Sequence, residues 1–270
     1  MTQTILITGA SRGIGLATAR LLQQQGHTVI GTCRNPAQAD VTDIELVALD
    51  VTQIDSIDAC MQQIQHKGHT IDVLINNAGY DLYGAAEEVE FDELYDQVDT
   101  NFLGAVRMTL AVLPQMRVRR TGKILNISSI GGLLALPYNS AYAASKFALE
   151  GFSESLRYEM LPFGVFVSLV EPGAVQTGTL DRSLVAPRTS HTAYHAPRAQ
   201  LMQKMQQHAA NEGIALDQLA HTIARVVATP YPALRYPVGG LARFMPVVKQ
   251  MLPQRWFEAF IMRRFGASTS

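Results

Sequence analysis

A doubly wound α/β fold, with a central parallel sheet flanked by helices on both faces, is what the sequence predicts. Three observations carry that expectation. Short β-branched runs alternate with longer helical patterns from Thr4 to Val170. Most of those runs are apolar almost without a break, as strands buried on both faces must be. The segments able to carry chemistry follow the carboxyl ends of the runs, where open α/β sheets bind ligands.

In chain order, TILIT (4–8) is the first strand, and TGASRGIG (8–15) follows it and opens a helix over 13–25. TVIGTC (28–33) and ELVAL (45–49) are the next two strands. The connection from Arg34 to Ile44 is too short for a full crossover helix, so only a turn is expected there. A helix over 53–66 leads to DVLIN (72–76), and a single helix over 91–117 leads to KILNIS (123–128). A helix over 142–161 is followed by VFVSLV (165–170). Parallel strands joined through helices imply right-handed βαβ units.

From about residue 174 the periodicity fades into AVQTGTLDRSLVAPRTSHTAYHAPRAQ, rich in Thr, Ser, Pro and Ala. A loop this long inside a compact domain is usually functional, so residues 178–215 are expected to form a substrate-binding lid. Helical patterning returns near 197–210 and 216–228, and residues 241–270 read as a helical tail. No repeat or low-complexity linker divides residues 1–270, which read as one domain.

Composition narrows the function classes. A formal charge of −1 argues against nucleic acid as a partner, because phosphate binding wants a basic excess. Cys33 and Cys60 have no metal-ligand spacing, so no metal site is expected, and a reduced cytoplasmic setting fits two incidental thiols. Met1 runs straight into a strand-like segment, with no room for a signal peptide, and no apolar run reaches the ~20 residues of a spanning helix.

The glycine-rich TGASRGIG sits at the first strand-to-helix turn. There Gly9 permits a tight turn, Gly13 lets backbone approach a pyrophosphate, and Gly15 allows close packing, as in a Rossmann dinucleotide-binding unit. An NAD-binding chain usually ends its second strand with a carboxylate for the ribose 2′-OH. Here that place holds Cys33 and then Arg34, with Arg12 in the glycine loop facing the same region. Two guanidiniums and no carboxylate favour a 2′-phosphate, hence NADP(H) over NAD(H). The competing reading is two solvated surface arginines. Asp50, after the third strand, is better placed for adenine than for ribose.

NNAG (76–79), SSIGG (128–132) and EPGAVQT (171–177) follow the fourth, fifth and sixth strands. In SAYAASKFALEG (140–151), Tyr142 and Lys146 stand four apart, one turn apart on one helix face. Alone the pair could be a surface Tyr beside a solvated Lys. In this company the lysine has a chemical reason to be there, because a nearby ammonium and a positively charged oxidised nicotinamide both favour phenolate. Moving a phenol from about 10 to about 7, where general acid–base work is efficient, needs ~3 units or ~4 kcal/mol.

Together TGASRGIG, NNAG, Asn101, Ser129, Tyr142-x-x-x-Lys146 and PGAVQT resemble the short-chain dehydrogenase/reductase family, over residues 1 to about 180. The resemblance implies a Rossmann fold and a hydride transfer between nicotinamide and a carbonyl carbon. It makes Tyr142 the general acid/base and Ser129 the hydrogen-bonding partner of the substrate oxygen. It gives Lys146 the nicotinamide ribose and the tuning of Tyr142, and gives Asn101 a water-linked proton relay. Cofactor contacts are expected from Gly9, Ser11, Arg12, Gly13, Ile14, Gly15, Arg34, Asp50, Val51, Asn77, Ala78, Gly79, Tyr142, Lys146, Pro172, Gly173, Val175 and Thr177. A rival reading keeps the fold and loses the chemistry, as a dinucleotide-binding redox sensor; such proteins typically break the Ser–Tyr–Lys set, which is intact here.

The wall between Ser129 and Tyr142 carries Leu133, Leu134, Leu136 and Tyr138 and no cation, with Tyr80, Leu82 and Tyr83 adding apolar surface. Substrate contacts are therefore expected from Ser129, Leu134, Tyr138 and Tyr142, with a lipophilic carbonyl or alcohol of steroid, retinoid or long-chain type. The competing reading is ordinary core. In the lid, His191, Tyr194 and His195 could bond a distant polar group of the substrate or be inert. Residues 241–270 hold five cations against Glu258, a net +4 that leaves −5 for the remainder. Trp256, Phe257, Phe260 and Ile261 read as one helical stripe that caps the pocket, meets a partner subunit or touches a membrane surface. With LRYPVG (234–239), this tail is similar to those of steroid- and retinol-handling members. The family resemblance also implies a homodimer built on the helices holding Asn101 and Tyr142.

Overall fold

The computed structural model describes residues 2–176, 184–185 and 192–265. Its elements in chain order are β1 (Thr4–Ile7), α1 (Gly13–Gln24), β2 (Thr28–Cys33), β3 (Glu45–Ala48), α2 (Ile54–His66), β4 (Val73–Asn76) and β5 (Leu82–Tyr83). Then come α3 (Phe91–Val98), α4 (Gly104–Arg119), β6 (Gly122–Ile127), α5 (Ser140–Met160), β7 (Val165–Pro172) and β8 (Leu184–Val185). The chain continues through α6 (Thr192–Glu212), α7 (Leu216–Ala228), β9 (Arg235–Val238), α8 (Gly240–Met251) and α9 (Gln254–Phe265). Between β2 and β3 there is only a short turn at Pro36–Gln38, as the length of that connection requires.

Seven strands form one sheet in the order β3-β2-β1-β4-β6-β7-β9, and the pairings are parallel throughout. This is the doubly wound Rossmann arrangement. Strand order reverses beside β1, which opens a crevice between the ends of β1 and β4. The apolar strand runs feed two cores. Leu22 of α1 packs with Leu219, Ile223 and Val227 of α7 on one face. On the other face Ile57 of α2 packs with Val112 and Met116 of α4 and Leu156 of α5.

Several elements differ from expectation, among them the two-residue strands β5 and β8, which pair with each other in a second, two-stranded sheet and were not expected. The single helix expected over 91–117 is divided by a π-helical turn at Asp99–Leu103, which lets one extra residue bulge without ending the helix. The Asp99 carboxylate anchors that turn by accepting from Arg107 Nη2 at 2.7 Å. Helix α6 starts at Thr192 rather than near 197, so Pro197 lies inside it and gives up one backbone hydrogen bond. The seventh strand, β9, was not anticipated. It is four residues long and includes Pro237, which an edge strand tolerates. Arg235 binds it to its neighbours, reaching Glu171 of β7 (2.9 Å), Glu154 of α5 (2.8 Å) and Glu150 of α5.

Candidate active site

The glycine loop is shaped by contacts that leave its helix terminus open. Gly9 has φ +67°, and a Cβ there would meet Ala78 Cα at 3.0 Å. A Cβ on Gly15 would meet Gly9 O at 2.4 Å and Asn77 Nδ2 at 2.6 Å, so this glycine serves the loop's own closure more than helix–strand packing. Asn77 ties the two loops together, with Nδ2 donating to Thr8 O and Gly9 O at 3.0 Å each. Thr8 Oγ1 accepts from the N–H groups of Asn77 and Ala78. Helix α1 has Arg12 at its N-cap, no side-chain cap and no acid in its first turn. Its first N–H groups and positive dipole end therefore suit an anion.

Arg34 and Arg12 are both exposed beside this terminus, and among the described residues neither enters an ion pair. Ser11 hydrogen-bonds the Cys33 thiol, which burial pushes above its ordinary value, so the loop and the end of β2 are in contact. Asp50 Oδ1 accepts from Thr52 N (2.9 Å) and Thr52 Oγ1 (2.7 Å), folding the chain after β3. Val51 is buried and meets Gly104 of α4, where a Cβ on that glycine would sit 2.6 Å from Val51 Cγ2. Thr177 and His191 lie outside the described residues. Gly173 N donates to Val238 O at 3.0 Å, tying the loop after β7 to β9, and Val175 bridges to Ile214. The dinucleotide's phosphates and its 2′-substituent thus have an uncapped helix end, a glycine cradle and exposed guanidiniums to meet, and the residues present fit the group.

Across the crevice α5 carries the tyrosine and lysine. Lys146 is 7% exposed, its Nζ donates to Ile127 O at 2.8 Å, and it lies 5.7 Å from the Tyr142 ring centroid. Burial lowers the Lys146 ammonium to about 8, while the Asp81 and Glu150 charges hold it up. Ser129 caps a short 3₁₀ turn, its Oγ accepting from Gly131 N at 3.0 Å, and its hydroxyl bonds Tyr142. Gly131 leaves room for the ring, since a Cβ there would touch Tyr142 Cε1 at 2.9 Å. Ser129, Tyr142 and Lys146 thus converge.

Two expectations need correcting. In the protein by itself, burial and the Asp81 charge push the Tyr142 phenol well above its ordinary value, where a depression toward neutrality was expected from Lys146 and the oxidised nicotinamide together. Ser129's hydrogen bond opposes that rise. The expected tail stripe is also divided. Phe257 and Ile261 pack inward with Leu134, Leu136 and Met245, whereas Trp256 is 70% and Phe260 39% exposed.

Asn101, at the centre of the π turn, is buried and clamps Tyr80. Its Oδ1 accepts from Tyr80 N (3.0 Å), and its Nδ2 donates to Tyr80 O (2.9 Å) and Ser145 Oγ (3.3 Å). Gly79 must be small here, because a Cβ would lie 2.9 Å from Asn101 Oδ1. Leu134 is buried against the tail, and Tyr138, at φ +59°, sets its ring edge-on to Tyr194. Tyr194 donates to Glu87. His195 lies close enough to Glu88 to bear on that carboxyl's charge.

Sequence reasoning passed over Asp81. The residue directly after the Tyr80 clamp accepts a hydrogen bond from the Tyr142 phenol and feels the Lys146 charge. Burial pushes its carboxyl up to about 6. The signal was present in NNAGYDLYG, where a lone acid stands among apolar and aromatic residues beside a motif already assigned to the site.

An arrangement of this kind places the chain among the α/β proteins that hold a dinucleotide at a sheet's switch point and carry out chemistry beside it. The family model for short chain dehydrogenases matches residues 3–186, and the chain belongs to that family. It is 41% identical over 266 residues to a 3-ketodihydrosphingosine reductase of Bacteroides thetaiotaomicron, covering 98% of each chain. It is 34% identical over 272 residues to human 17-beta-hydroxysteroid dehydrogenase type 1, covering 92% of this chain and 80% of that one. The crystal structure of a short-chain dehydrogenase from Streptomyces avermitilis superimposes with a TM-score of 0.81 at 34% identity, covering 96% of this chain and 97% of that one. The protein is an oxidoreductase acting on CH–OH and C=O groups. No helix among the described residues is long and apolar enough to cross a membrane.

Proposed function

We propose that the protein is an NADP(H)-dependent oxidoreductase for lipophilic ketones, aldehydes or secondary alcohols of steroid, retinoid or long-chain type. The convergence of Ser129, Tyr142 and Lys146 at the carboxyl end of the sheet carries this reading. When bound, the nicotinamide supplies or accepts the hydride at its C4. Tyr142 protonates the carbonyl oxygen during reduction and takes the proton back during oxidation. Ser129 holds that oxygen by a hydrogen bond, so the developing charge is met by two donors. Lys146, tethered to Ile127 O, has donors left for the ribose hydroxyls. Asn101 holds the Tyr80 loop beside Tyr142 and, as the family resemblance implies, supports a water-linked proton relay.

The 2′-phosphate preference rests on Arg34, which follows Cys33 at the place where an NAD-binding chain has a carboxylate, and on Arg12 in the glycine loop; neither has an acidic partner among the described residues. The lipophilic substrate is supported by the names of the two relatives and by the apolar cover that α8 and α9 lay over Leu134 and Leu136. A homodimer through α4 and α5 is supported by Leu110, Val118, Phe147 and Tyr158, which are 42–78% exposed on those helices.

The test follows loss of NADPH absorbance with steroid, retinoid, aliphatic and aromatic carbonyls. Wild type is expected to turn over the lipophilic members, and Tyr142→Phe to lose at least ~10²-fold in rate while still binding NADPH. Tight NADPH binding without turnover of any carbonyl would return the sensor reading.

A further inference from the structure

The loop from Tyr80 to Gly84 is fixed at both ends, and this decides where the Asp81 carboxylate points. At one end Tyr80 is held by Asn101 on both its N–H and its carbonyl, and Gln97 Nε2 donates to the same carbonyl at 2.8 Å. At the other end Leu82 and Tyr83 are 2% and 3% exposed, Gly84 N donates to Tyr138 O (2.9 Å), and Asn139 Nδ2 donates to Leu82 O (3.3 Å). The side chain between these anchors meets the Tyr142 phenol, within range of the Lys146 and Tyr83 side chains.

A carboxylate in that position works against the proposed chemistry if it acts alone. It holds the phenol's proton and opposes phenolate, and burying its charge is costly unless a partner satisfies it. Lys146 acts on it as a nearby charge, because its ammonium bonds Ile127 O and its remaining donors are left for the ribose hydroxyls. The missing partner must be a hydrogen-bond donor that arrives with the substrate. Its position follows from the reaction. The reacting carbonyl oxygen accepts from Tyr142, and Asp81 accepts from the same phenol. Asp81 is therefore one hydrogen-bond step from that oxygen, in reach of a substituent on the carbon next to the carbonyl.

We propose that Asp81 is a specificity-determining residue that selects lipophilic α-amino ketones, its carboxylate pairing with the ammonium adjacent to the reacting carbonyl. In the reverse direction the substrates are the corresponding 1,2-amino alcohols. The ammonium is not consumed: hydride goes to the carbonyl carbon, the proton comes from Tyr142, and the C–N bond stays intact. Pairing cancels the charge that holds the Tyr142 proton, so the phenol is released to serve the carbonyl only when the right substrate is seated. The assignment rests on the oxidoreductase reading above and narrows its substrate class.

The experiment compares kcat/KM for a long-chain ketone, its α-amino counterpart and the N-acetylated amino ketone, in wild type and in Asp81→Asn. Wild type is expected to prefer the amino ketone by about 10–100-fold, the range of a charge-assisted hydrogen bond, with the N-acetylated compound close to the plain ketone. In Asp81→Asn the preference should collapse towards unity, mostly through KM, with NADPH fluorescence quenching reporting an intact fold. An unchanged preference in the variant, or no preference in wild type, overturns the assignment and leaves the oxidoreductase reading standing. Failure of wild type to reduce any of the three, or any carbonyl of the broader panel, overturns that reading and this one with it.

Discussion

Arg34 directly follows β2, where the proposed 2′-phosphate contact would be made, and its effect should be separable from that of the rest of the site. Arg34→Asp is expected to weaken NADPH binding by about 10–100-fold, since it removes a charge-assisted contact to phosphate and adds a like charge. NADH binding should change little, and titration of both by fluorescence checks it; equal losses would dismiss the 2′-phosphate reading. Asp81 makes the second prediction at this scale. Its carboxyl is pushed up to about 6 by burial, while the Lys146 charge and the Tyr142 hydrogen bond pull it down, and its charge in turn raises the Tyr83 phenol. A folded value above the unfolded one means the native state holds the proton more tightly. The associated stability is thus full below about pH 4 and is lost as pH rises through about 6. Asp81→Asn should therefore melt higher than wild type at pH 7.5, by up to about 3 kcal/mol, with the gap closing towards pH 5. Melts at the two pH values decide it, and a gap of equal size at both would contradict it.

At the scale of elements, the strands that carry the site were legible because apolar runs in a parallel sheet have few alternatives, and the glycine loop and Tyr142–Lys146 spacing fell on them. The π turn at Asp99–Leu103 was not. One extra residue rotates the helical phase by roughly 100°, which the pattern over 91–117 absorbs without a visible break. Its purpose becomes apparent only in three dimensions, where Asn101 meets Tyr80. Asn101→Ala would leave the Tyr80 backbone groups short of partners, so a loss of about 1–3 kcal/mol and a raised KM are expected, read from melts and steady-state kinetics. Substrate affinity unmoved by the change would mean that the loop does not depend on this clamp. Strand β9 was hidden for another reason, because RYPV is short and contains a proline, and its hold on the sheet comes from Arg235 reaching across to three glutamates. Glu150 and Glu171 are 5% and 2% exposed, and burial with the neighbouring Glu150 charge lifts Glu171 to about 7. Arg235→Met would strand these carboxylates without a cation, at a cost of about 3–5 kcal/mol. Because they can take up protons in compensation, the cost should be smaller at pH 5.5 than at pH 8.

Across the whole molecule, charge and apolar surface are unevenly shared. The sequence revealed a tail of net +4 against a remainder of −5 but left its destination open between pocket, partner and membrane. Periodicity alone could not separate these, because it groups Trp256, Phe257, Phe260 and Ile261 without saying which side of the stripe finds a neighbour. Packing divides them. Phe257 and Ile261 close over Leu134 and Met245 beside the Ser129–Tyr142 wall, while Trp256, Phe244 and Met251 stay 70%, 69% and 78% exposed. The inner side thus packs on the Leu134 wall, and the outer side combines large apolar groups with Arg255, Arg263 and Arg264. Removing residues 254–270 should raise KM for long-chain ketones several-fold more than for short ones, because only the longer chains reach the cover formed by α9. The same truncation tests the outer side by co-sedimentation with anionic vesicles. Apolar side chains and basic residues at one surface add their affinities for such a membrane, at about 1 kcal/mol per cation near the surface. Reduced pelleting of the truncated chain assigns the outer side to lipid. Equal pelleting removes the membrane from the tail's functions, and the chain-length dependence of KM then stands as its sole measurable effect on the reaction.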